Sequence, residues 1–244
     1  PDILFLSGLK STLILPTTAG IMSPVLFSII AYMVVRTRWR ARSVLDAIIW
    51  ISAAFPGIIS GLGLLLLFLD TPGLSWLYGS IWALILVEIM SGKTTGTNVF
   101  KGVMVQLGKD LEEAGRVAGA GWLRTYIYIV IPVLMPSMVL IGALNFISAA
   151  STTSSIVLLA SRETLTLSLI ALERASADIN KVEEAGIISL VIMLLTLGLA
   201  AVARIFGLRI GLPQERTASR QVETNAAGKV SEEKAVRSVT PFLP

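Results

Sequence analysis

Two residue types that build many functional sites are missing from this chain of 244 residues, which contains no cysteine and no histidine. The lack of cysteine excludes disulfides, and the lack of both residues excludes a Cys/His metal site. Without histidine, the commonest acid–base mechanisms and the Ser-His-Asp triad are excluded as well. These absences disfavour a membrane-embedded enzyme, because the usual catalytic residues are missing and few acids lie within the apolar stretches.

Charged residues are also scarce, because they make up 15% of the chain while hydrophobic residues make up 54%, with a mean hydropathy of +0.79. A soluble domain of this size seldom has such a composition. Crossing the ~30 Å hydrocarbon core of a bilayer as a helix takes about 20 apolar residues. Five stretches meet this need, and we predict a membrane span in each: 11–35, 44–69, 74–92, 126–149 and 186–206. The predicted fold class is an all-α polytopic membrane protein, since none of these stretches shows the polar face of a soluble helix.

The basic residues predict how the spans are oriented. Most of the 20 Lys and Arg lie in three regions, namely 36–42, 91–125 and the chain after residue 203. By the positive-inside rule these regions are cytoplasmic, and the loop 150–185 is then on the outer side. An outside start and an inside end agree with five spans. The polar stretch 212–244 has no apolar periodicity and is expected to be a disordered cytoplasmic tail.

Prolines and small residues inside the predicted spans indicate irregular or closely packed helices. Each of these prolines is expected to kink or interrupt its helix unless neighbouring groups satisfy the carbonyl that it frees. They are Pro16, Pro24, Pro56, Pro132 and Pro136. Gly57 and Gly61, with Ala53 one turn earlier, place small residues on one face, which allows close helix approach. That face either packs within the bundle or slides during a conformational change.

The loop 91–125 is too polar for lipid and too long for a simple turn. Four glycines are expected to divide it into short pieces: Gly92, Gly96, Gly102 and Gly108. Asp110 followed by Glu113 resembles a capping box, and Gly119 provides a natural stop together with Gly121. We therefore predict a short helix over 110–119. A helix of this length is marginal alone, so it packs either on its own bundle or on a partner.

The same loop carries a recognisable motif. Glu113-Ala114-Gly115 is followed by Gly119 and then, after nine residues, by Ile129-Val130-Ile131-Pro132. This pattern resembles the EAA loop of bacterial ABC importer permeases of type I, with Gly115 in place of the second alanine and Ile131 in place of leucine. The order of the spans and the stretch 55–63 are also similar, and the resemblance extends over residues 10–211.

The resemblance implies a membrane permease domain over residues 10–211, with about five transmembrane helices and a cytoplasmic coupling helix that enters a cleft on an ATPase. The residues implied in this coupling are Glu113, Ala114, Gly115, Gly119 and Pro132. ATP and Mg²⁺ would be bound by a dimer of nucleotide-binding subunits, so this chain would bind no cofactor and would not be an enzyme. Its other implied partners are the lipid membrane, a second permease half and an extracytoplasmic solute-binding protein, but no nucleic acid.

The implied location is the bacterial inner membrane. The second permease half could be an identical chain, a paralogue or a repeat in the same polypeptide. Because the first residue is Pro1 rather than Met, we favour the last, in which this chain is the C-terminal repeat of a longer polypeptide with two permease repeats. Within the family, the chain is most similar to ferric-ion permeases, which makes ferric iron the expected substrate. Thiamine, polyamine, phosphonate, sulfate and molybdate permeases are the alternatives.

Polar side chains near the end of the fourth predicted span are candidates for the substrate pathway, together with one acid in the third. They are Ser148, Thr152, Thr153, Ser154 and Glu88. The hydroxyls could instead cap the following segment, and Glu88 could extend to the membrane interface. A channel or a secondary transporter that needs no ATPase is a further alternative. It is disfavoured because the sequence shows no convincing internal repeat and almost no charge within the spans.

Overall fold

The computed structural model describes residues 3–37, 40–108, 113, 115, 117, 119–177 and 182–210, with main chain only at 3, 4, 177 and 204–210. All regular secondary structure within these residues is helical. The α-helices are α1 (Ile3–Arg36), α2 (Arg42–Ser52), α3 (Gly57–Asp70), α4 (Ile81–Gln106), α5 (Trp122–Thr125), α6 (Ile131–Ser151), α7 (Leu167–Ala177) and α8 (Val182–Ile210). A 3₁₀ turn at Ser75–Leu77 precedes α4, and a π-helical turn at Tyr126–Val130 joins α5 to α6.

Three helical stretches of the described chain are long and apolar enough to cross a membrane: Phe5–Arg36, Trp122–Ser151 and Val182–Ala203. They match the first, fourth and fifth predicted spans. The predicted span 44–69 is instead a pair of helices, α2 and α3, bent by 117°, which is either one broken span or a re-entrant loop. By length and composition the described residues thus contain three spans, or four if the bent pair is one, rather than the five that we predict.

The bend between α2 and α3 has its cause at Pro56. Pro56 precedes the first residue of α3, and its φ of −56° and ψ of 147° are extended rather than helical. Proline also disfavours helical conformation in the residue before it, here Phe55. Pro16 and Pro24 lie inside α1 and Pro136 lies inside α6 without ending either helix. Among these four prolines, only Pro56 stands at a helix boundary.

The third predicted span, 74–92, overlaps α4, but this helix begins at Ile81 and continues to Gln106, well into the predicted loop 91–125. The later half of α4 packs against α2 through polar contacts. The Nζ of Lys101 is 2.5 Å from an Oδ1 of Asp46, and the Oγ1 of Thr94 donates to the carbonyl of Ile49 at 2.8 Å. This half of α4 is therefore built into the bundle instead of forming a loop.

Glycines in α4 were expected to break the chain, but they allow close packing between helices. A Cβ on Gly96 would overlap the ring of Phe27 in α1, and a Cβ on Gly92 would overlap the amide of Asn145 in α6. The third contact of this kind joins α1 to α6, since a Cβ on Gly20 would lie 2.9 Å from the carbonyl oxygen of Gly142. Helices α1, α4 and α6 form the centre of the fold for this reason.

The chain divides into two compact units, Pro1–Arg204 and Ile205–Pro244. The first unit contains α1 to α7 and most of α8. The described part of the second unit is the last turn and a half of α8, Ile205–Ile210. The predicted tail, residues 212–244, lies outside the described residues, so its disorder stays a prediction.

Candidate functional site

The chain between α4 and α5, residues 107–121, is called the connecting segment below. Glu113, Gly115 and Val117 are helical there, as the sequence predicts for 110–119. The other residues between 109 and 118, including the candidate Ala114, lie outside the described residues. Glu113 is exposed and Val117 is 90% exposed, so two positions one helical turn apart both face away from the bundle.

Gly115 lies on the opposite face of this helix, against the start of the next span. A Cβ at Gly115 would be 3.0 Å from Cδ1 of Ile129 and 3.5 Å from Oγ1 of Thr125. Glycine therefore lets the connecting segment lie close to the π-helical turn. One face of the short helix rests on the bundle, and the face with Glu113 and Val117 is open to a partner.

The helix ends at Gly119, as its sequence position predicts. Gly119 has a φ of +82°, and the N–H of Ala120 donates to the carbonyl of Gly115 at 3.0 Å. A left-handed residue followed by a bond that spans five residues is the Schellman arrangement for ending a helix. Gly121 has a different role from the stop that we predicted, because it is the N-cap of α5 with a φ of −67°.

Pro132 is the second residue of α6 and lies two residues after the end of the π-helical turn at Val130. Proline has no N–H and its ring crowds the carbonyl four residues earlier, so a regular α-helical turn is disfavoured at this point. The wider turn is visible in the N–H of Ile131, which donates to the carbonyl of Tyr126. Pro132 thus shapes the entry into α6 and lies well away in sequence from Glu113.

Arg36 connects the end of α1 to the beginning of the connecting segment. Its Nη2 donates to the carbonyl of Met104 at 2.9 Å and to that of Leu107. Cations near a helix C-terminus stabilise the last carbonyls, which have no partner within the helix. Sequence reasoning assigned Arg36 only to a basic turn, and the contact could not be predicted because 68 residues separate Arg36 from Met104.

The second group of candidates surrounds Glu88. This side chain is only 3% exposed, and its Oε1 accepts a hydrogen bond from Oγ of Ser155 at 3.1 Å. The alternative that Glu88 extends to the interface is wrong, because the carboxyl group is enclosed by the bundle. Ser155 is not among our pathway candidates, which include its neighbour Ser154 instead.

The loop between α6 and α7, residues 152–166, is called the hydroxyl loop below. Its start is fixed mainly by backbone groups: the N–H of Thr152 donates to the carbonyl of Ser148 at 2.8 Å, and the N–H of Val157 to that of Thr153 at 3.0 Å. Ser148 and Ser154 are exposed, while Thr152 and Thr153 are half-buried. The four hydroxyl candidates are therefore at least partly accessible, whereas Glu88 is buried.

Small residues of α3 hold the hydroxyl loop close to the helix. A Cβ on Gly57 would be 3.1 Å from Oγ of Ser154, and a Cβ on Gly61 would overlap the main-chain oxygen of Ser155. The small face expected from the spacing of Gly57 and Gly61 thus meets a loop rather than a second helix. Gly61, Ser155 and Glu88 form one contact group. Glu88 lies in the first half of α4, while Glu113 follows the end of that helix at Gln106.

Asn145 is a buried polar residue that sequence reasoning missed. It lies in α6 with 9% exposure, and its Nδ2 donates to the carbonyl of Ile141 at 2.9 Å. Its amide faces Gly92 of α4. An amide inside an otherwise apolar span was the available signal, since buried polar groups within membrane helices are costly and are kept for packing or function.

Comparison with known proteins identifies related chains. The model of a family described as "Binding-protein-dependent transport system inner membrane component" matches residues 24–209. The ferric transport system permease protein FbpB of Actinobacillus pleuropneumoniae is 31% identical over 149 residues, which cover 60% of this chain and 21% of that protein. The probable sulfate transport system permease protein cysT of Marchantia polymorpha is 30% identical over 168 residues, or 64% of this chain and 57% of that protein.

Solved structures share the fold. One chain of the MetNI methionine ABC transporter, in an inward-facing conformation, superimposes with a TM-score of 0.68 at 14% identity, covering 85% of this chain and 96% of that chain. One chain of the bacterial alginate ABC transporter, in complex with an alginate pentasaccharide-bound periplasmic protein, gives 0.71 at 17% identity, covering 86% and 81%. This chain spans about a fifth to a quarter of the length of the ferric relatives that it matches.

Proposed function

Because the chain belongs to the family of binding-protein-dependent transport system inner membrane components, we propose that it is one permease half of an ATP-driven importer in which the connecting segment docks on the ATPase. The family membership makes the chain a membrane component of a transport system. Hydrolysis of ATP is assigned in this proposal to a separate nucleotide-binding dimer, and this chain supplies no catalytic group and binds no cofactor.

The observation that carries the proposal is the exposed face of the connecting segment. Glu113 and Val117 face away from the bundle, and Gly115 packs on the next span through Thr125 and Ile129. A short helix gains stability mainly from packing, and here one face has a partner within the bundle while the other is available. A docked ATPase would cover the available face.

Movement of the ATPase would reach the membrane through the elements that flank this segment. Arg36 joins the end of α4 to α1, and Gly115 contacts the turn that leads into α6. Since α1, α4 and α6 are closely packed through glycines, they would move together as a rigid body between two arrangements. We assign the connecting segment to the cytoplasmic side and the hydroxyl loop to the outer side, in agreement with the basic residues.

One permease half does not enclose a pathway, so the proposal includes a second half. It would be a paralogue, a second copy of the chain or a repeat in the same polypeptide. A solute-binding protein would deliver the substrate at the hydroxyl loop. A partner of this kind is supported by the solved alginate transporter of the same fold, which is in complex with its periplasmic protein.

Ferric iron is the substrate that we propose, with sulfate as the second candidate. Iron is supported by two ferric transport relatives, which are 31% and 28% identical. Sulfate is favoured by the cysT relatives, of which one is 30% identical over a larger share of its own length. The exposed hydroxyls of Ser148 and Ser154 do not separate the two candidates, because a hydroxyl oxygen can ligate a cation weakly and its O–H can donate to an oxyanion.

Uptake assays in proteoliposomes would distinguish the two candidate substrates. The full-length protein would be reconstituted with its ATPase and each candidate binding protein, and uptake of radioactive ferric citrate or radioactive sulfate would be measured with and without ATP. We expect ATP-dependent uptake of iron and none of sulfate above the ATP-free background. ATP-dependent uptake of sulfate alone would transfer the assignment to the second candidate, and uptake that needs no ATPase would contradict the importer proposal itself.

A further inference from the structure

A cleft of about 750 Å³ opens where two long apolar helices end on the same side of the bundle. Its walls come from the last two turns of α1, around Met33 and Arg36, and from the start of the next span, at Trp122 and Tyr126. The apolar stretches Phe5–Arg36 and Trp122–Ser151 both terminate here. Because both apolar stretches end at this cleft, we expect it to lie at the boundary between hydrocarbon and water.

The lining changes from apolar to polar along α1. Ile29 and Met33 line the part nearer the middle of the span, while Arg36 and Thr37 line the part at its end. Tyr126 stands against the edge of Tyr32 with ring centroids 5.2 Å apart, and Trp122 is 67% exposed beside them. Tyrosine and tryptophan are enriched at the headgroup level of membranes, where one part of the ring is apolar and another is polar.

The polar end of the cleft is cationic and rigidly placed. The guanidinium of Arg36 is positioned by its bonds to the carbonyls of Met104 and Leu107. The turn that follows, residues 36–42, contains four arginines and no acid, and Arg124 is close in sequence to Trp122. Clusters of basic residues next to a span attract anionic lipid headgroups.

We propose that this cleft is a binding site for one anionic phospholipid of the surrounding bilayer. The phosphate lies at Arg36 and Thr37, the glycerol region at Tyr32, Trp122 and Tyr126, and the beginning of an acyl chain on Ile29 and Met33. A volume of about 750 Å³ is within the range of ligand sites in general, roughly 300–1,000 Å³. The site is separate from the hydroxyl loop and does not depend on which substrate is transported.

A bilayer lipid fits this cleft better than a soluble phosphate compound. The apolar lining at Ile29 and Met33 would remain uncovered by a free phosphate, and a zwitterionic lipid would gain less from Arg36. In a bilayer the anionic lipid is also present at the mouth of the cleft at all times, so modest affinity is enough for occupancy. A bound lipid would fill the space between α1 and the start of the span that carries the connecting segment.

Native mass spectrometry of the full-length protein tests this site. The detergent-solubilised protein would be incubated with equal amounts of phosphatidylglycerol and phosphatidylcholine, and the retained lipid counted. We expect one molecule of phosphatidylglycerol to be retained in preference. Met33→Trp fills the apolar part and Trp122→Ala removes an exposed wall, so both are expected to lower its retention at least about fivefold. Met22→Trp is the matched control, because Met22 is 43% exposed on the same helix and does not line the cleft.

The charge at Arg36 is tested separately with Arg36→Gln. One basic residue near a membrane surface contributes about 1 kcal/mol, so the preference for phosphatidylglycerol is expected to fall about fivefold. Equal retention of the two lipids by wild type would overturn the proposal, as would wild-type retention in both Met33→Trp and Trp122→Ala. Loss of the lipid when the protein is assembled with its second permease half would show that a protein covers the cleft, which also overturns it.

Discussion

Charge reversal by Glu113→Arg is expected to release the ATPase from the permease while leaving the membrane bundle folded. Glu113 is exposed on the free face of the connecting segment, so the bundle itself loses no buried contact. If Glu113 is paired at the docked interface, an arginine in its place leaves the partner group buried without its counter-charge. Such a loss costs about 2–5 kcal/mol of binding free energy, which corresponds to a loss of affinity of at least roughly thirtyfold. Co-purification of the ATPase and substrate-stimulated ATP hydrolysis in proteoliposomes would both measure the loss.

Glu163→Arg is the matched control for this experiment. Glu163 is also exposed but lies in the hydroxyl loop, which we place on the other side of the membrane. The control is expected to keep the ATPase bound and the hydrolysis coupled. If Glu113→Arg retains the ATPase as wild type does, the connecting segment is not the docking element. Substrate uptake that continues in the released protein would favour a transporter that needs no ATPase.

The second large effect is expected from Gly61→Ala, which should destabilise the protein by about 1–3 kcal/mol. A Cβ at this position would overlap the main-chain oxygen of Ser155. A backbone group cannot move aside as a flexible side chain can, so the hydroxyl loop would have to shift away from α3. The shift would also lengthen the hydrogen bond from Ser155 to Glu88 and leave a buried carboxyl group without its partner.

Gly63→Ala is the control on the same helix, because no atom lies within 4 Å of a Cβ at Gly63. Alanine is the better helix former by about 1 kcal/mol, so this variant is expected to lose no stability. Thermal unfolding of both purified variants in the same detergent would compare them with wild type. An unchanged midpoint for Gly61→Ala would mean that the loop does not rest on α3 as described.

The all-helical fold and the main apolar spans could be predicted from the sequence, because long stretches without charge indicate segments that lie in lipid. The stop at Gly119 was also predictable, since only a local left-handed turn is needed and glycine supplies it. Both features depend on residues that are neighbours in the chain. The segment from Glu113 to Pro132 resembles permease loops, and this resemblance also depends only on residues that are close together in the chain.

The predictions that failed depend on contacts between distant residues. Gly92 and Gly96 would be helix breakers in isolation, but the amide of Asn145 and the ring of Phe27 occupy the space that their missing side chains leave. The burial of Glu88 depends on Ser155, which is 67 residues away. A pattern within one span does not contain this information. Pro56 was expected to disturb a helix, and the bend lies there, but a proline in a sequence does not specify the angle of 117° between α2 and α3.

Site-specific labelling of the connecting segment tests the docking claim most directly. The chain contains no cysteine, so Val117→Cys introduces a single thiol on the exposed face of the short helix. We predict that a maleimide reagent labels this thiol in the permease alone and is blocked when the ATPase is bound. Val182→Cys, 51% exposed at the start of α8, should be labelled equally in both states. Equal labelling of Val117→Cys with and without bound ATPase would contradict the claim that this segment couples ATP hydrolysis to transport.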